Sequence, residues 1–117
     1  MKTLSLSHEK IGLVDVIVLN GILNADTSLR LDELLQPLSE SEKPFVLLDM
    51  ENLSYISSAG IGCFIGVVKR IRNKAGDIRF CKIDPKVKRV FELLDMADFF
   101  KFFSSLDEAL TSFEEIR

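Results

Sequence analysis

The chain reads as a single α/β domain, a mixed and mostly parallel β-sheet packed with about four helices in the order ββαβαβαβα. Three observations predict it. Apolar runs of strand length alternate with runs whose apolar residues recur at helical spacing. Two strand-like runs come first, before any helix pattern, as a hairpin requires. After them, each strand pattern is followed by a helix pattern, which calls for right-handed crossovers and parallel pairing. The 117 residues suit one core rather than two. No internal repeat, low-complexity tract or linker divides them, so residues 1–117 are expected to form one domain.

The elements follow in order. Thr3-Leu4-Ser5-Leu6-Ser7 alternates polar and apolar residues, as a half-buried edge strand does. His8 to Gly12 reads as a turn. Val14 to Leu19 is the next strand, antiparallel to the first and ended by Asn20-Gly21. Leu31, Leu34, Leu35 and Leu38 then fall at i, i+3, i+4 and i+7, with Asp26 or Thr27 as N-cap and Pro37 expected to kink or end the helix. Phe45 to Met50 is almost entirely apolar, like a central strand covered on both faces.

A long helix opens at Ser57 or Ser58. Ile61, Phe64, Ile65, Val68, Ile71 and Ala75 form its expected buried stripe, and Gly76 its C′ residue. Lys69, Arg70, Arg72 and Lys74 form its solvated side, toward the negative end of the helix dipole. Ile78 to Ile83 alternates as a strand. Asp84-Pro85 supplies an N-cap and N1 proline for a helix carrying Val87, Val90, Phe91 and Leu94. Phe99 to Phe103 is the last strand. Ser105 or Asp107 starts a final helix with Leu106, Ala109, Leu110, Phe113 and Ile116 inward.

Composition narrows the function. Apolar residues make up 47% and charged residues 28% of the chain, which is globular rather than disordered. A net charge of −3 offers no footprint for nucleic acid or an anionic membrane. Met1-Lys2-Thr3-Leu4 leads into polar residues without an apolar signal core, and the uncharged stretch from Asn52 to Val68 is slightly short for a membrane span. A soluble cytoplasmic protein without membrane insertion is expected. Cys63 and Cys81 form no CxxC pair and read as reduced core residues.

The chemistry-bearing stretch is Tyr55-Ile56-Ser57-Ser58-Ala59-Gly60-Ile61-Gly62. It joins a buried strand to a long helix and puts two hydroxyls where backbone N–H groups lack intrahelical partners. Such a start can be capped by serine, worth about 1 kcal/mol, or can hold a phosphate. A phosphoserine there gains from the helix dipole without melting the helix. It would act by blocking a fitted interface with a bulky group of about −1.5 to −2 charges.

Other motifs read more simply. Gly60, Gly62 and Gly66 echo a dinucleotide fingerprint with Asp84 on the next strand end, but these glycines fall within the helix rather than in the turn before it. His8, the single histidine, has no second histidine or cysteine pair for zinc and nothing to place it near Ser58 as a base. Asp49 and Glu51 near a strand end are weak grounds for acid–base catalysis. Lys86, Lys88 and Arg89 form a solvated helix face, and Phe99, Phe100, Phe102 and Phe103 are expected in the core. No catalytic residue, metal site or cofactor is predicted.

From Val14 to about Leu110 the chain resembles the STAS domains of bacterial anti-sigma factor antagonists. The matching pieces are Leu19 to Asn24, Val46 to Leu53, Tyr55 to Gly62, and Ile83 to Leu93. In that family the serine turn typically reads Asp-Ser-Ser/Thr-Gly, and the hydroxyl residue after the aspartate is phosphorylated. That position is Ser58 here. The family's aspartate falls on Ser57 and its second hydroxyl on Ala59, which leaves Ser58 as the single expected acceptor.

The resemblance implies an anti-sigma factor antagonist that regulates transcription or signalling by partner switching and is not itself an enzyme. The unmodified chain binds a serine kinase of the histidine-kinase-like ATPase type, which doubles as the anti-sigma factor or an analogous inhibitor. Phosphorylation of Ser58 releases it, and a PP2C-type phosphatase resets the switch. The expected partner-binding residues are Asn24, Asp26 and Thr27, beside Ser57, Ala59, Gly60, Ile61 and Gly62. Asn24 stands where many members carry aspartate. The alternative is a non-switching STAS subunit of a transporter or signalling assembly.

Overall fold

The computed structural model describes residues 3–117, so the reading of Met1 and Lys2 lies outside the described residues. Five strands form one sheet in spatial order β1-β2-β3-β4-β5: β1 (Leu4–Ile11), β2 (Val14–Leu23), β3 (Phe45–Ile56), β4 (Asp77–Cys81) and β5 (Lys101–Phe103). The first pair is antiparallel and the other three are parallel, as the alternation of patterns demands. Four helices connect or follow them: α1 (Ser28–Ser39), α2 (Ser58–Asn73), α3 (Pro85–Leu93) and α4 (Leu106–Ser112), the last running into a 3₁₀ turn at Phe113–Ile116.

Two apolar layers flank the sheet. One face carries Ile17, Leu19, Val46, Leu48, Met50, Ile78 and Phe80, packed under α1, α2 and α3. Phe64, Phe80 and Phe91 interlock at centroid distances of 4.9 to 6.3 Å. The other face carries Val14, Val16, Phe45, Leu47 and Cys81 under α4, through Ala109 and Phe113, with Leu106, Leu110 and Ile116 packed beside them.

Several boundaries differ from expectation, each for a physical reason. The hairpin turn is Gly12-Leu13, not His8 to Gly12. Ile11 pairs with Val14, leaving a two-residue loop whose leading glycine takes φ +61°. His8 therefore sits on β1, with Nε2 2.9 Å from Asp15 Oδ1.

Asn20-Gly21 does not end β2. Register shifts flank both residues, and the strand resumes to pair Ile22 with Tyr55 and Leu23 with Ile56. Gly21, at φ +118°, leaves room only for hydrogen: a Cβ there would lie 2.0 Å from the Thr3 carbonyl oxygen. β3 likewise runs six residues past Met50, with Glu51, Asn52, Ser54 and Tyr55 turned to solvent.

Pro37 lies in the last turn of α1, two residues before its end at Ser39. The left-handed position after α2 is held by Ala75 (φ +62°) rather than by Gly76. The Ala75 N–H donates to the Arg72 carbonyl and the Gly76 N–H to the Ile71 carbonyl, a Schellman closure. Gly76 is needed one residue later, where a Cβ would lie 1.9 Å from the Pro44 carbonyl oxygen. β5 is three residues long. Of the four phenylalanines expected inside, Phe100 is buried, Phe102 and Phe103 are half-buried, and Phe99 is exposed.

Candidate functional site

The serine turn sits where β3 becomes α2. Ser57 is the N-cap: its backbone is extended (φ −102°, ψ 170°) and its hydroxyl accepts from the Gly60 N–H at 3.3 Å. Its own N–H donates to the Leu23 carbonyl at 2.9 Å, which ties the turn to the end of β2. Ser58 is the first helical residue and is exposed. Ile61 N–H donates to the Ser57 carbonyl, the first bond of the helix. Among the described residues no acceptor faces the N–H groups of Ser58 and Ala59, nor is the Ser58 hydroxyl bonded. Two backbone donors and the positive end of the helix dipole therefore surround an unengaged hydroxyl.

Gly60 holds this geometry from behind. A Cβ on it would lie 2.8 Å from both Leu23 Cγ and the Leu23 carbonyl oxygen, and 3.0 Å from Ile56 Cγ1. The glycine lets the first turn of α2 rest directly on the paired ends of β2 and β3. Ile61 is completely buried. Of the expected partner-binding residues on α2, Ala59 and Gly62 are exposed, as is the expected acceptor Ser58, whereas Gly60 and Ile61 support the turn from inside.

The expected second loop lies beside the first. Leu23 pairs with Ile56, so the residues after β2 emerge next to the serine turn. Asn24 organises them: its Oδ1 accepts from the N–H groups of Asp26 and Thr27, both at 3.0 Å. The Asn24 N–H donates to Thr27 Oγ1 at 3.0 Å, and Thr27 Oγ1 donates to the Ile22 carbonyl at 3.0 Å. Thr27 is the residue before α1 and is buried, but its side chain does not cap the helix. Asp26 is exposed. Cys63 Sγ reaches the Ser28 carbonyl at 3.5 Å, joining the starts of the two helices.

The surface next to Ser58 is apolar and small. At 100° per residue Ser58, Gly62, Ile65 and Lys69 share one outward face of α2, with Ala59 and Gly66 alongside. Ile65, expected inside, is 45% exposed. The core stripe is centred on Ile61, Phe64, Val68 and Ile71, and Val67 closes its other edge, so Ile65 falls outside it. A Cβ at Gly62 or Gly66 would meet nothing within 4 Å. Tyr55, at the end of β3, and Leu29, in the first turn of α1, are also exposed. Sequence reading missed Leu29, Tyr55 and Ile65 because only the packed fold shows which apolar residues lack cover.

The other candidates disperse. Gly60, Gly62 and Gly66 all lie inside α2, so no glycine loop precedes the helix to cradle a pyrophosphate. Asp49 and Glu51 face Lys82 Nζ, at 3.6 and 3.9 Å. Arg89 meets Glu92 at 3.6 Å, and Lys88 Nζ lies 5.0 Å from the Phe102 ring centroid. Burial, reinforced by the Asp32 carboxylate, pushes the Cys63 thiol up to about 12. Burial and the Asp49 charge push Cys81 up to about 12. Both are thiols rather than thiolates at neutral pH. No helix among the described residues is long and apolar enough to cross a membrane, and no group of three metal-ligating side chains occurs among them.

Comparisons with known proteins identify the fold and the family. Residues 6–109 match the STAS domain family. An anti-sigma F factor antagonist of Paenibacillus polymyxa is 30% identical over 105 residues, covering 86% of this chain and 85% of its own. The unphosphorylated form of the anti-sigma factor antagonist SpoIIAA superposes with a TM-score of 0.80 at 19% identity, over 97% of this chain and 99% of that one. The murine anion transporter Slc26a9 contains a similar fold, with a TM-score of 0.71 at 15% identity, over 98% of this chain but 22% of that one. This chain belongs to the STAS domain family, among the anti-sigma factor antagonists.

Proposed function

We propose that residues 1–117 act as one STAS domain whose binding of a serine-kinase anti-sigma factor, or an analogous inhibitor, is switched off by phosphorylation of Ser58. The observation that carries this reading is the exposed Ser58 hydroxyl at the first position of α2, unengaged and beside two backbone N–H groups that have no acceptor among the described residues. The kinase transfers the γ-phosphoryl group of ATP to Ser58 Oγ. A P–O bond to ADP breaks, a P–O bond to serine forms, and the hydroxyl proton leaves to a base on the kinase. A PP2C-type phosphatase returns the hydroxyl by hydrolysis.

The consequence is local. Ala59, Gly62 and Gly66 offer almost no side-chain volume, so a partner can approach the α2 backbone closely around Ser58. A phosphate there places about −1.5 to −2 charges and a tetrahedral group inside that contact. The same phosphate lies at the positive end of α2, where a negative charge contributes about 0.3–1 kcal/mol of stability, so the domain stays folded while the interface is lost. Asp26 and the Asn24-ordered loop form the other side of the proposed contact. The exposed side chains of Leu29, Tyr55 and Ile65 add apolar area.

Ser57 stands where the family carries aspartate, and its hydroxyl caps α2. Without a carboxylate beside the acceptor, the phosphorylated state carries less like-charge repulsion. The same substitution is what a subunit that no longer switches would show, so the test separates the two. Wild type and Ser58→Glu are used as parallel baits in lysate, and retained proteins are identified by mass spectrometry. Retention of a histidine-kinase-like ATPase by wild type and its loss with Ser58→Glu is the expected result. Equal retention of a transporter or scaffold component by both baits would replace the switch with the subunit reading.

A further inference from the structure

Away from the serine turn, positive charge gathers at the amino-terminal ends of β4 and β5. A shallow cleft of about 510 Å³ opens there, lined by Arg72, Asp77, Arg79 and Lys101 together with the apolar side chains of Ala75 and Ile116. Arg79 is 1% exposed. Its Nε donates to Asp77 Oδ2 at 2.8 Å, and its Nη1 donates to the Ser112 carbonyl and hydroxyl, both at 2.8 Å. Asp77 Oδ1 accepts from Arg72 Nε and from the Ile78 N–H, each at 2.9 Å. The one carboxylate in the cleft is already bonded on both oxygens.

Donors remain. Arg79 Nη2 has no acceptor among the described residues, yet no buried side-chain nitrogen or oxygen among them lacks a partner. Nη2 is therefore the part of this buried guanidinium that reaches the surface, through the cleft that Arg79 lines. Arg72 donates through Nε and through Nη2 to the Phe99 carbonyl, which leaves Nη1. Lys101 is exposed, stands directly opposite Arg79 in the parallel register, and has no carboxylate within 4 Å among the described residues. Like charges opposite each other across a strand pair repel. Three cations and one saturated carboxylate leave an excess of two positive charges in a concave site.

We propose that this cleft binds a compact phosphate-type oxyanion, held by Arg79 Nη2, Arg72 Nη1 and Lys101 Nζ. Charge-assisted donors from three side chains on two strands and a helix suit a tetrahedral anion with several acceptor oxygens. The partial negative charge at the carboxyl end of α2 is offset by Arg70 and Arg72 in its last turn. Ala75 and Ile116, in the same lining, supply apolar surface for the organic part of a phosphate monoester. The site lies on β4, β5 and the far end of α2, so it does not depend on the role of Ser58.

The test is a titration of the full chain at constant ionic strength, read by amide and arginine side-chain NMR shifts. Inorganic phosphate and adenosine monophosphate are the two probes and chloride is the control. Saturable shifts at Gly76, Arg79 and Lys101 are expected with phosphate and not with chloride. Equal affinity for the two probes assigns the site to the phosphate group alone, and tighter binding of the monoester assigns it to an organic phosphate. Lys101→Glu, at an exposed position, should weaken binding about tenfold, with Lys101→Gln as the milder variant and Lys86→Glu as a neutral control. Absence of saturable shifts at these residues with both probes, or unchanged affinity in Lys101→Glu, overturns the proposal.

Discussion

The two ends of α2 are built in opposite ways. From Ser54 to Val68 no residue is charged, and the amino end of the helix is placed by backbone contacts: Ser57 N–H on Leu23, Gly60 against Leu23 and Ile56. The carboxyl end is held by charge: Arg72 and Arg79 share Asp77, and Arg72 stacks 4.8 Å from the Phe99 ring centroid. An end anchored by side-chain ion pairs has its one carboxylate, Asp77, committed to the fold on both oxygens. An end positioned through backbone and glycine keeps a hydroxyl and two N–H groups available. The difference explains how one helix can be fixed firmly at one end and offer a modifiable surface at the other.

The comparison can be broken most strongly at the charged end. Asp77→Ala leaves Arg79 buried without its carboxylate, and such a loss costs about 3–5 kcal/mol. Urea unfolding should show it, while the folded fraction keeps its binding at the Ser58 end. A loss below about 1 kcal/mol would mean that Arg79 finds water or another acceptor, and the anchoring account of that end would fail.

At the amino end, Gly60→Ala forces a methyl group to within 2.8 Å of the Leu23 carbonyl oxygen. Overpacking of this kind costs about 1–3 kcal/mol and tilts the serine turn, so partner binding should fall with stability. Gly62→Ala sharpens the point. Its Cβ enters open space and alanine is the better helix former, so stability should rise by about 0.5–1 kcal/mol, and any loss of binding then reports direct contact. Ser57→Ala removes the cap from the Gly60 N–H and should cost about 1 kcal/mol.

The smallest effect is in pH. The two buried thiols have pKa values raised to about 12 in the folded chain, against 9.0 as the ordinary value. Their contribution is constant below about pH 9. Above it, the unfolded chain ionises first and stability falls until about pH 12. Denaturation midpoints compared at pH 7 and pH 8 should therefore show no contribution from Cys63 or Cys81, which Cys63→Ser and Cys81→Ser would check by an unchanged pH slope.

Local signals carried most of the fold. Asp84-Pro85 announces α3 because capping and a fixed proline φ are properties of neighbouring residues, and Asp84 Oδ1 does accept from the Lys86 N–H at 2.8 Å. The serine turn was legible for the same reason. Propensity points to Gly76 for the left-handed position, but the close approach of Pro44 claims it one residue later and leaves Ala75 with the strain. In the sequence Ile65 reads as core because its apolar neighbours are continuous, and only the helix's orientation on the sheet turns it out. The Asp77–Arg79–Ser112 network joins residues 33 positions apart, and nothing in the local pattern of β4 distinguishes a buried arginine from an exposed one. The site's chemistry is local and could be read; its surface is tertiary and could not.

The most direct test of the central claim is a binding titration of the isolated kinase partner against three forms of this chain: wild type, Ser58→Ala, and protein phosphorylated to completion by that kinase. The account predicts near-equal affinity for the first two, no phosphate incorporation into Ser58→Ala, and at least a hundredfold weaker binding of the phosphorylated form, about 2.7 kcal/mol. Unchanged affinity after complete phosphorylation at Ser58, or normal incorporation into Ser58→Ala, would contradict it.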